Sequence, residues 1–121
     1  MRFFYTILVP PQERRLVPLC MAIRRTERTV LKLTGARFLG NWLLANRTNV
    51  LLQTLAHAVP GAPHEFKYRR YFGRNGETLV RYDNERGKGD HRHVGVGELP
   101  YQFKTLEALI EDFFADVEGS T

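Results

Sequence analysis

One cysteine in 121 residues, Cys20, rules out an internal disulfide and a cysteine-based zinc cluster. Nothing in the thiol content calls for an oxidising compartment, so the expected address is the cytoplasm. Long apolar runs are equally scarce. The longest apolar-rich stretch, ARFLGNWLLANRTNVLLQTLAHAV, is broken by Asn41, Asn46, Arg47, Asn49 and Gln53, whereas a membrane span needs about 20 continuous apolar residues. The opening MRFFYTILVPPQERR is short in its apolar part for a secretory leader. No membrane association is expected. Acidic residues are also sparse, but only in places: residues 1–57 hold nine Lys/Arg against two Glu, while residues 98–121 hold one Lys against six acids. A basic body with an acidic tail and a net charge of +5 suits a polyanion, or an acidic protein partner, on one side of the molecule. Composition leaves both open.

A chain of this length buries about two thirds of the surface its unfolded form exposes, which supports one core and not two. The expectation is a single domain over 1–121. RFFYTILV reads as a buried strand ended by Pro10 and Pro11, and RLVPLCMAIRR and RTVLKLTG as two further extended segments. From Ala36 the apolar spacing of Phe38, Leu39, Trp42, Leu43 and Leu44 predicts a helix, with Val50, Leu51, Leu52, Leu55 and Ala56 continuing it as a second. HAVPGAPHE is a linker by its chemistry, and the histidines that flank it, His57 and His64, draw no role.

The second half is more regular. FKYRRYFGRNGETLVRYDNE predicts a hairpin about Asn75-Gly76, because a tight turn of type I′ needs positive φ at both central residues. Tyr68 shares one face with Phe66 and Arg70, and Arg69 shares the other with Lys67 and Tyr71. A third strand follows near 91–96, after which Leu99 and Pro100 should end the sheet. Thr105 caps a helix over 105–117 whose stripe of Leu106, Leu109, Ile110, Phe113, Phe114 and Val117 packs on the hairpin, with Gly119 as its stop. The fold class is α+β: a small antiparallel sheet, a C-terminal amphipathic helix on one face, and helices in the first half.

Chemistry concentrates in RYDNERGKGDHRH, residues 81–93. Metal-independent RNA cleavage needs a base for the ribose 2′-OH, an acid for the leaving oxygen and cations for the phosphorane. His91 and His93, two apart on a strand, would face one phosphate, with Asp83 or Asp90 orienting an imidazole. Arg69, Arg81, Arg86, Lys88 and Arg92 would bind phosphate, and Tyr68, Tyr71 or Tyr82 would stack on a base. A competing reading makes His91, His93 and Asp90 (or Asp83) the ligands of a zinc or manganese ion. A third makes the stretch a solvated loop on a non-catalytic basic module that binds nucleic acid or an acidic protein.

Taken together, FKYRRYFGRNG, LVRYDNERGKGDHRHVG and LPYQFKTLEALIEDFFADV, over about 64–117, resemble the TumE family of small bacterial toxin components of toxin–antitoxin pairs. That resemblance implies a growth-inhibiting toxin whose partner is a helix-turn-helix antitoxin. It also implies two N-terminal strands ending in an aliphatic run before the prolines, a pattern not evident in residues 1–57. No cofactor is expected.

Overall fold

A computed structural model describes residues 5–8, 16–35, 37–44, 47–57, 59, 64–95 and 97–120. Seven strands form one sheet in chain order: β1 (Tyr5–Leu8), β2 (Phe38–Leu44), β3 (Thr48–Leu55), β4 (Lys67–Arg74), β5 (Glu77–Glu85), β6 (Gly89–Val94) and β7 (Gly97–Pro100). β2 to β7 make an antiparallel meander, and β1 joins its edge parallel to β2. Two helices, α1 (Leu16–Thr34) and α2 (Leu106–Gly119), complete an α+β fold. Neither is long and apolar enough to cross a membrane.

The hairpin forms as its residues dictate: Asn75 and Gly76 take φ of 55° and 77°, and β4 runs back along β5 with a bulge at Phe72/Gly73. Inward-facing Val50, Leu52, Tyr68, Phe72, Val80 and Tyr82 are buried beneath the helices. Thr105 accepts a hydrogen bond from the Ala108 amide at 3.0 Å, a cap that contributes about 1 kcal/mol. Behind it Leu109, Ile110, Phe113, Phe114 and Val117 are buried against the sheet, each contributing about 1.5–3 kcal/mol. α2 runs through Gly119 and ends at Ser120, whose amide donates to the Val117 carbonyl at 3.1 Å.

The first half departs from expectation. Residues 16–34, read as two extended segments, are one helix. Its inward stripe is Cys20, Ile23, Glu27 and Leu31, a helical period disguised by a glutamate in a core position. Glu27 and Arg70, both with fully buried side chains, form a two-pronged ion pair at 2.5 and 2.8 Å, and the guanidinium lies 4.8 Å from the Phe113 ring centre. Residues 36–56, read as helices, hold β2 and β3 instead. Both faces of those strands carry apolar side chains, Phe38, Trp42, Val50 and Leu52 inward and Leu39, Leu43, Leu51 and Leu55 outward, so no alternation shows in the sequence. Leu99 and Pro100 end the sheet as expected, as the closing residues of β7, a short last strand that the sequence reading did not separate from the strand before it. The ends of the RFFYTILV segment and Pro10, Pro11, Pro60, Gly61 and Pro63 lie outside the described residues.

Charge is also sorted by the helices. Glu111 and Glu118 of α2 pair with Arg24 of α1 at 3.5 and 3.4 Å, and Glu111 also pairs with Arg28. Two of the six acids of the tail are thus spent on the basic helix beside it.

Candidate functional site

Register divides residues 81–93 between two faces. Residues directly opposite on paired strands share a face. Arg81 faces His93 and Asp83 faces His91 across β5 and β6, and Arg69 faces Asp83 across β4 and β5. Among the described residues, no helix packs on this side. Tyr82, Asn84, Asp90 and Arg92 project from the other face, under the helices.

The expected residues therefore fall into two sets. His91, His93, Asp83, Arg69 and Arg81 come together. Asp90, Arg92 and Tyr82 do not join them. Asp90 accepts a hydrogen bond from the Tyr68 hydroxyl at 2.6 Å and meets His64 Nε2 at 2.8 Å. Arg92 lies 3.3 Å from Asp116 of α2, and the Tyr82 hydroxyl donates to the same carboxylate. Arg86 and Lys88 occupy the turn between β5 and β6. Lys88 reaches Glu98 at 3.4 Å, while Arg86 and Arg69 are exposed with no ion pair among the described residues. Of the tyrosines proposed to stack on a base, Tyr68 and Tyr82 are fully buried. Tyr71 is the one on the helix-free face, its ring occupying the space that a Cβ at Gly73 would fill.

Burial and polar contacts separate the acid–base chemistry of the two faces. Under the helices, the Tyr68, Tyr82 and Tyr101 hydroxyls are pushed above the ordinary phenol range, first by burial and then by Asp90, Asp116 and Asp112 respectively. They stay neutral donors. On the helix-free face, His91 and Asp83 are only 5% and 6% exposed. His91 Nδ1 lies 3.2 Å from the Gly89 carbonyl, which can only accept, so Nδ1 carries the hydrogen. The other nitrogen, Nε2, touches Asp83 Oδ1, yet neither atom completes an aligned hydrogen bond. The second Asp83 oxygen lies 3.7 Å from Arg81 Nε. His93 is half-buried.

Two residues escaped sequence reasoning. His64 carries no local signal, because its partner Asp90 arrives from 26 positions away. Glu85 sits two positions after Asp83, a spacing that places both carboxylates on one strand face. Ligand atoms of Asp83, Glu85 and His91 lie within 4.8 Å of one another. The competing triad of His91, His93 and Asp90 is instead split between faces.

A family model described as Toxin TumE matches residues 23–121. No curated protein and no solved structure matches the chain. The family match reaches back through β3 and β2 into α1, well beyond 64–117. β2 and β3, which the reading of residues 1–57 missed, both lie within the matched range.

Proposed function

Because the chain belongs to the TumE toxin family, and is thus a toxin component of a toxin–antitoxin system, we propose that it acts as a metal-independent endoribonuclease. RNA lies on the helix-free face, and a helix-turn-helix antitoxin neutralises the toxin. The observation that carries this reading is the buried Asp83–His91 contact beneath two arginines. Two polar atoms pressed together out of water with a guanidinium alongside mark a site built for charge, and not a packed core.

In this reading His93, opposite Arg81 and reachable from solvent, exchanges protons with the ribose 2′-hydroxyl and the leaving oxygen. Arg81 and exposed Arg69 neutralise the phosphorane. His91 packs against Asp83, whose second oxygen faces Arg81. Tyr71 offers a stacking surface to an unpaired base, and Arg86 and Lys88 attract the approaching backbone.

The test is to induce the wild-type chain and a His91→Ala/His93→Ala variant in bacteria, following growth and total RNA together, and to assay purified protein on RNA with EDTA present. The expected result is growth arrest with RNA cleavage that persists in EDTA and vanishes in a variant that remains folded. Arrest by both chains with intact RNA would sink the enzymatic reading and leave a basic binding module.

A further inference from the structure

We infer that Asp83, Glu85 and His91 form a binding site for one divalent transition-metal cation, of the zinc or manganese class. Donor chemistry comes first. One imidazole nitrogen and two carboxylates, all within 4.8 Å of one another, make a mixed N/O set suited to these ions. Three protein ligands also leave a position open to water.

Proximity of acids alone would mean little. The second observation is the state of the two inner donors. Asp83 Oδ1 and His91 Nε2 are cut off from solvent, lack any hydrogen-bond partner and are turned on each other. Leaving such atoms unsatisfied is costly, and a cation shared by both removes that cost. Their supports match those of metal ligands. His91 presents Nε2 because Nδ1–H is committed to the Gly89 carbonyl, the usual way a ligating histidine is oriented. Asp83 has its other oxygen toward Arg81, which leaves Oδ1 for the ion and keeps the guanidinium on the far side of the carboxylate.

Glu85, exposed at the end of β5, gives the site an entrance. A fourth donor stands near: Glu98 Oε1 of β7 is 3.7 Å from His91 Nε2 and is held there by Lys88. The ligands come from β5 and β6, so an ion clasps these strands beside the turn that joins them.

The test uses tag-free, EDTA-stripped protein without RNA, so its outcome is independent of whether the toxin cleaves anything. Titration with Zn²⁺ alone and Mn²⁺ alone, by calorimetry, should show one saturable equivalent, and the melting temperature should rise with ion concentration. Glu85→Gln and Asp83→Asn should each weaken binding by about tenfold or more, and His91→Ala should abolish it. Circular dichroism checks each fold. Should His91→Ala not fold, the exposed Glu85 position still decides. No saturable binding by the wild type, or undiminished binding in Glu85→Gln and Asp83→Asn, overturns the assignment.

Discussion

Two histidine–aspartate pairs lie on opposite faces of one three-stranded stretch, and they could hardly be treated more differently. His64 and Asp90, beneath the aromatic cover, are complete. The His64 ring stacks on Phe103 with centres 3.9 Å apart. Its Nδ1 accepts from the Phe66 amide at 3.2 Å, so Nε2 carries the hydrogen that goes to Asp90, and Tyr68 donates to the same carboxylate oxygen. His91 and Asp83 touch without a finished hydrogen bond and have Arg81 alongside. The residue types are the same, but satisfaction is not. A buried polar group with all its partners holds structure, whereas one left wanting a proton or cation is poised for chemistry.

Exchanging the two aspartates is the sharpest way to break that comparison. Asp83→Asn and His93→Ala are expected to lower RNA cleavage by about 10²-fold or more, read from initial rates on a single-stranded substrate. Asp90→Asn should instead leave cleavage near wild type and cost about 1–3 kcal/mol of stability, because it takes the negative charge off the acceptor that His64 and Tyr68 share. Urea unfolding measures this, and a larger stability loss for Asp83→Asn than for Asp90→Asn would reverse the assignment of roles. Tyr68→Phe should cost about 1 kcal/mol in the same assay, since only one of the two donors to Asp90 is lost. Smaller still, Arg69→Ala should weaken RNA binding and flatten its salt dependence by about one phosphate contact, a slope change of about 0.7 on single strands.

Cys20 supplies a folding check for all these variants. Burial, assisted by Glu118, pushes its thiol from the ordinary 9.0 up to about 11. A folded variant therefore resists alkylation at pH 8, and an unfolded one reacts. The sign follows from the proton being held more tightly in the folded state: this contribution to stability is full below about pH 9 and is lost as pH rises through about 11.

Elements specified by adjacent residues were legible. The Asn75-Gly76 turn, the Thr105 cap and the unbroken stripe of α2 each carry a local signal, and each stands where that signal puts it. α1 was hidden because its period runs through Glu27, a core residue only by virtue of Arg70 arriving on β4. β2 and β3 were hidden because apolar side chains line both of their faces. In the site, alternation along β6 was enough to put His91 and His93 on one face. Choosing between Asp83 and Asp90 was beyond it, since Asp90 adjoins His91 in sequence yet points the opposite way.

The sequence by itself determined the hairpin, the terminal helix, the density of phosphate-seeking and proton-carrying groups in residues 81–93, and enough family pattern to mark a toxin component. Tertiary structure alone decided which carboxylate meets which imidazole. That choice rests on cross-strand register and on which face the helices cover. Both are set by long-range packing, the buried Glu27–Arg70 pair included, and such contacts leave no trace in the spacing of neighbouring residues.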